Sequence, residues 1–158
     1  MSDVSLIPMT ATFARLVLSG DRADDWSAGY PTPGDLEVAD RIVSGQMPVA
    51  GDASPWGPWI VRAQDVVVGG AGFHREPDAA GDVELGYGIA VEARGRGLAT
   101  EAVRLLLTLA RDGGARRVVA GTDPGNVPSE RVLTRCGLRR TGVDGDELRW
   151  AIDLTLNA

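Results

Sequence analysis

Lysine is absent from this 158-residue chain; all 16 basic residues are arginine. That excludes a Walker-type phosphate lysine, a Schiff-base lysine and pyridoxal-phosphate chemistry. Cysteine occurs once, at Cys136, and histidine once, at His74. An internal disulfide and a cysteine-built metal cluster are therefore excluded, and a histidine-rich metal site lacks ligands. No apolar run approaches the length of a bilayer, and the start, MSDVSLIPMT, has no cationic stretch leading into an apolar one. The expectation is a cytoplasmic protein with no membrane partner.

What is present fits one ordinary domain able to bury its own core. Hydrophobic content of 44% and charged content of 24% are those of a globular chain. The charge is uneven. Residues 94–140 hold ten arginines against four acids, a balance of +6, while the remainder holds six against eighteen, or −12. Two readings stand: a polyanion held by the basic segment with a cationic substrate drawn to the acidic part, or solvated helix faces in an arginine-preferring composition. A net charge of −6 argues against nucleic acid as a partner.

Apolar periodicity and breakers predict alternating elements. A strand over 4–9 leads into a helix capped by Thr10 or Thr12 and ending at Ser19. A loop over 26–35 precedes a helix over 35–46. Strands follow over 58–64 and 65–74, joined by a tight turn at Gln64-Asp65, and then a strand over 83–91. A helix over about 98–112 ends at Gly113-Gly114; a strand over 116–123, a short helix capped by Asn126 and a last strand over 147–154 complete the chain. This is an α+β plan, a central mixed and mostly antiparallel sheet flanked by helices in a single domain. In the strand over 83–91, Val83, Leu85, Tyr87 and Ile89 share one face; Glu84, Gly86, Gly88 and Ala90 leave the other almost bare. Such glycines mark a bulge or a ligand lying against the backbone.

The stretch VEARGRGLATEA, 91–102, places Arg94, Gly95, Arg96 and Gly97 directly before a helix. Glycines let backbone amides approach an anion, and a helix N-terminus attracts one. A dinucleotide fingerprint fits poorly, since Thr100 stands at the final small position and no suitable acid follows about 20 residues on.

Arg94-Gly95-Arg96-Gly97-Leu98-Ala99 fits the Gln/Arg-x-x-Gly-x-Gly/Ala signature of the GNAT superfamily of acyl-CoA N-acyltransferases, which the chain resembles. ELGYGIAV before it and TDPGNVPSERVLTRCGL after it are similar to the family's flanking segments. The resemblance runs over about residues 55–154, with the acyl-CoA-binding core at about 83–140, and is strongest to the branch of ribosomal-protein alanine N-acetyltransferases. It implies acetyl-CoA as acyl donor, no metal, and a small-molecule or peptide amine as acceptor. The amides from Arg96 through Leu98 and Ala99 to Thr100 would hold the pyrophosphate, with Arg94, Gly95 and Gly97 shaping the loop and Arg135 reaching phosphate. Ile89, Ala90 and Val91 would pair with the pantetheine arm, the N–H of Val91 stabilising the oxyanion. Asn126 and Ser129 would contact pantetheine, Asn126 capping its helix as an alternative or in addition.

Direct transfer needs a base for the amine and an acid for the leaving thiolate. Glu84 is the base candidate, His74 its rival; each is also read as an ordinary surface residue. For the acid, the family's frequent tyrosine position is Leu133, so Ser129, Tyr87 or water must serve, or the thiolate leaves unassisted. That departure keeps an acyl-CoA-binding module without turnover as the alternative. Cys136 reads as a small buried hydrophobe. Trp26, Tyr30, Trp56 and His74 are placed at the acceptor pocket; the aromatics equally serve to pin loops to the core. Oligomeric state, a homodimer included, is left open.

Overall fold

A computed structural model describes residues 3–51 and 53–155. In chain order the elements are β1 (Val4–Pro8), α1 (Ala11–Ser19), α2 (Pro33–Val43), β2 (Pro58–Ala63), β3 (Val66–Phe73), β4 (Asp82–Ile89), α3 (Leu98–Asp112), β5 (Arg117–Thr122), α4 (Val127–Arg135), β6 (Arg139–Asp144) and β7 (Glu147–Asp153). The strands form one sheet in the order β1-β2-β3-β4-β5-β7-β6. All neighbours are antiparallel except β4 and β5. The expected α+β architecture is therefore the observed one.

Local chemistry sets the element ends. Thr10 caps α1, its hydroxyl accepting from the Phe13 amide at 3.1 Å. Thr32 and Asp35 form a reciprocal capping box at α2, with Pro33 in the first turn. The helix thus starts two residues before the expected start at 35, because Thr-Pro-Gly-Asp is a capping sequence and not only a loop. Gln64 takes a left-handed φ of 56° in the turn between β2 and β3.

Helices cover both faces of the sheet. On one, Ala102, Val103, Leu106 and Ala110 of α3 pack with Leu133 of α4 against Val61, Phe73, Leu85 and Val118. On the other, Ala14 and Val17 of α1 and Ala39 and Ile42 of α2 pack against Ile60, Val67 and Ala90.

Two expectations need correction. The strand β6 was not anticipated: its six residues are all exposed, so it carries no buried alternation and is held by pairing with β7. The strand expected over 83–91 ends at Ile89, and Val91–Ala93 forms a 3₁₀ turn.

The feature that positions the site is the join between β4 and β5. Their parallel ladder holds three pairs, Asp82 with Arg117, Val83 with Val118 and Glu84 with Val119, and goes no further. Beyond Glu84 the strands part.

Candidate active site

The parted strands leave backbone groups unpaired in a predictable way. On its other edge β4 pairs with β3, where the His74 amide donates to the Glu84 carbonyl at 3.0 Å and the Ala90 amide to the Val68 carbonyl at 2.7 Å. Because residues of an antiparallel ladder alternate in the direction of their polar groups, Leu85, Tyr87 and Ile89 turn theirs toward β5 and into the cleft. The Ile89 carbonyl receives the Nε of Arg94 at 2.9 Å. Ala90 is fully buried with its amide committed to β3, and Val91 lies beyond the strand, 67% exposed. Of the three expected pantetheine partners, Ile89 alone faces the cleft from within β4.

Beyond β4 the chain passes through the 3₁₀ turn Val91–Ala93 to the N-terminus of α3. Gly95 and Gly97 both take left-handed backbone angles, with φ of 78° and 76°, and no side chain caps the helix. Its first helical bond runs from the Glu101 amide to the Gly97 carbonyl, so the amides of Leu98, Ala99 and Thr100 have no intrahelical acceptor. Arg94 and Arg96 are exposed beside them, whereas the Leu98 and Thr100 side chains are buried. Arg135, at the end of α4, is exposed and lines none of the cavities described below.

A cavity of about 320 Å³ fills the parting of β4 and β5, lined among others by His74, Glu84, Tyr87, Asn126, Ser129 and Glu147. Asn126 caps α4, accepting from the Ser129 amide at 3.3 Å. Glu84 Oε2 is 3.2 Å from Arg149 Nη1, which also bonds Glu147 Oε1 at 2.5 Å. Glu84 Oε1 faces His74 Nδ1 at 3.7 Å. The Tyr87 hydroxyl reaches across the cleft to the Ser129 carbonyl at 3.5 Å, and burial raises its pKa above the usual phenol value. Leu133 is 1% exposed in the core and cannot present a group here.

A second cavity, of about 360 Å³, lies between α2 and the sheet. Its floor is four glycines on paired strands, Gly70 opposite Gly88 and Gly72 opposite Gly86. His74, Gly86 and Tyr87 line both cavities, so the two adjoin there. The imidazole lies over Gly86, where a Cβ would come within 2.8 Å of Nε2.

Of the four residues expected at an acceptor pocket, His74 lines both cavities. Trp26 and Tyr30 are buried against Phe13 and each other, and Trp56 packs edge-on to Phe73 at 5.1 Å. They hold loops to the cores and line neither cavity. The WGPW stretch contributes Pro58 and Trp59 instead. Sequence reasoning missed Asp35, Arg149 and the β3 glycines; GGAG in β3 was the available signal for the floor. Cys136 donates to the Thr100 carbonyl at 3.5 Å and its thiol pKa is raised, chiefly by burial.

The site thus joins a parted pair of strands with one open polar edge, an uncapped, glycine-led helix N-terminus and a second pocket that meets the parting at a histidine. The chain belongs to the acetyltransferase (GNAT) family, whose domain profile matches residues 4–139. It is 27% identical over 145 residues to the N-acetyltransferase YnaD of Bacillus subtilis, itself uncharacterized, covering 85% of each chain. Among solved structures, RimJ of Mycobacterium smegmatis in complex with CoA-disulfide superposes with a TM-score of 0.66 at 20% identity, covering 95% of this chain and 81% of that one. Ribosomal-protein-S5-alanine acetyltransferase of Vibrio fischeri gives 0.62 at 13% identity, covering 97% and 94%.

Proposed function

We propose that this acetyltransferase uses acetyl-CoA and transfers the acetyl group directly to a primary amine held over the glycine floor. The observation that carries the reading is the ladder between β4 and β5 stopping at Glu84, which turns the polar edge of Leu85 to Ile89 toward a cleft, while the chain beyond β4 turns into α3 with the amides of Leu98, Ala99 and Thr100 free. An extended pantetheine arm suits such an edge, pairing as an added strand, and a pyrophosphate suits those amides with Arg94 and Arg96 beside them. Asn126 and Ser129 border the arm's path. Acetyl-CoA supplies the activated acyl group.

The chain's own residues divide the remaining work. His74 stands where the two cavities meet and takes the proton from the attacking amine at Nε2. Glu84, already tied to Arg149, faces Nδ1 and orients the ring, so the acid read as base acts through the histidine. The Ile89 amide, aimed into the cleft, donates to the carbonyl oxygen as negative charge develops there. Carbon–nitrogen bond formation then expels sulfur, and the Tyr87 hydroxyl beside Ser129 is placed to return a proton to the thiolate.

The test is thiol release from acetyl-CoA over a panel of primary amines, beside thermal shift with acetyl-CoA alone. Turnover with any amine supports the reading. Stabilisation without turnover on a broad panel favours a binding module, and absence of both removes the phosphate-cradle assignment.

A further inference from the structure

The acceptor cavity has a second chemical pole opposite His74. We infer that the Asp35 carboxylate selects acceptors carrying a second ammonium group, so that the enzyme prefers a short aliphatic diamine over a monoamine of the same length. The inference rests on the amine-acetylating reading above and assigns a specificity role within the same site.

Asp35 is 5% exposed in the first turn of α2. Its Oδ2 accepts from the Thr32 amide at 2.9 Å and the Thr32 hydroxyl at 2.7 Å. Both of these bonds go to Oδ2, leaving Oδ1 free of them, and the side chain lines the acceptor cavity. Capping α2 accounts for one oxygen; the other is aimed over the floor, so close to Gly70 that a Cβ there would overlap it. Glycine at this point leaves room for a carboxylate oxygen that opens onto the cavity. Burial raises the Asp35 pKa despite the Thr32 bonds that favour the charged form. A cation delivered by a ligand would offset that penalty.

The floor supplies a ruler. Asp35 sits at Gly70 and His74 at Gly86, diagonal corners of the two glycine pairs. Same-face residues along a strand are about 6.8 Å apart and neighbouring strands about 4.8 Å, so the diagonal is about 8 Å. Ligand nitrogens bonded at either end and lifted off the floor into the cavity are separated by no more than about that span, within the reach of a short aliphatic diamine. Between the poles the walls are Val38, Met9, Met47 and Trp59, which suit a methylene chain. Glu37 and Arg41, the other charged residues of α2 on this cavity, offset one another and leave Asp35 as its net charge.

The test compares 1,4-diaminobutane with n-butylamine in wild type and Asp35→Asn, which retains an oxygen for the cap. Steady-state kinetics at saturating acetyl-CoA are read beside calorimetric titration of each amine into the CoA-loaded enzyme, so binding is seen even without turnover. Wild type should favour the diamine by about 10-fold or more, the scale of one charge-assisted hydrogen bond, and the preference should collapse in the variant mainly through KM. A wild-type enzyme that binds no diamine or favours neither amine overturns the inference, as does a preference unchanged in Asp35→Asn. Thermal shift with acetyl-CoA separates this from failure of the underlying reading: a protein that binds acetyl-CoA but ignores the second ammonium sinks the diamine assignment alone.

Discussion

His74, the residue after β3, and Glu84 on β4 stand opposite one another, Nδ1 3.7 Å from Oε1, with the far side of the imidazole laid over Gly86. The pair joins a charged cluster on the donor side to a bare floor on the acceptor side.

Removal of the imidazole should therefore be the most damaging change to chemistry. His74→Ala is expected to lower kcat by about 10²–10⁴, the range of a positioned general base. Glu84→Gln should slow turnover less, and neither change should alter stabilisation by acetyl-CoA. Turnover assays and thermal shift on both variants check this; equal losses from the two would return the base role to Glu84.

The floor predicts different outcomes for neighbouring glycines. A methyl at Gly86 would meet His74 Nε2 at 2.8 Å, so Gly86→Ala should displace the ring and reduce kcat. At Gly88 the nearest atom is the Thr32 hydroxyl at 3.9 Å, an ordinary contact. Gly88→Ala should keep the fold and raise the acceptor KM with little effect on kcat, as steady-state kinetics would reveal.

Gly97 and Gly114 bracket α3 and share left-handed backbone angles, 76° and 87°. Alanine at either should cost about 1 kcal/mol of stability. Only Gly97→Ala also puts a methyl at the open amides, so it alone should weaken acetyl-CoA binding measured by titration.

A thiol shielded by burial and bonded to the Thr100 carbonyl is a poor nucleophile. Cys136→Ala should retain turnover. Intact-mass measurement of wild type after acetyl-CoA alone should show no added acetyl group, as direct transfer requires.

The raised pKa of Asp35 links the acceptor pocket to stability. An acid whose folded pKa lies above its unfolded value helps the fold below the unfolded pKa and loses that help as pH rises through the folded one. Asp35→Asn should accordingly melt higher than wild type near neutrality, with the gain shrinking as pH falls toward about 4. Melting curves across that range measure it. A gain that grows on acidification would contradict the sign.

The glycine loop and helix start were legible because their signals are local in sequence: ARGRGLAT specifies both within a few residues, and Leu98 to Leu109 carry their own period. The acceptor side was not, because it is assembled from Asp35, Gly70, His74 and Gly86 on three elements, and only the sheet register brings them together. Tyr30 and Trp56 misled for a related reason. A lone aromatic in a proline-rich loop has the same local sequence whether it faces a ligand or, as both do here, the core. The strand β6 escaped because all its residues face solvent and pattern follows burial.

The three-pair join between β4 and β5 makes the sheet a pair of callipers. One jaw is the four strands β1 to β4, the other is β5, β7 and β6, and the pivot is Asp82 to Glu84 against Arg117 to Val119. The helix α3 is braced against the first jaw at β1, β3 and β4 and against α4 behind the second. A substitution under α3 would thus reset the angle between the jaws without altering a residue of either cavity, making the width of the parting a property of the core beneath the helix.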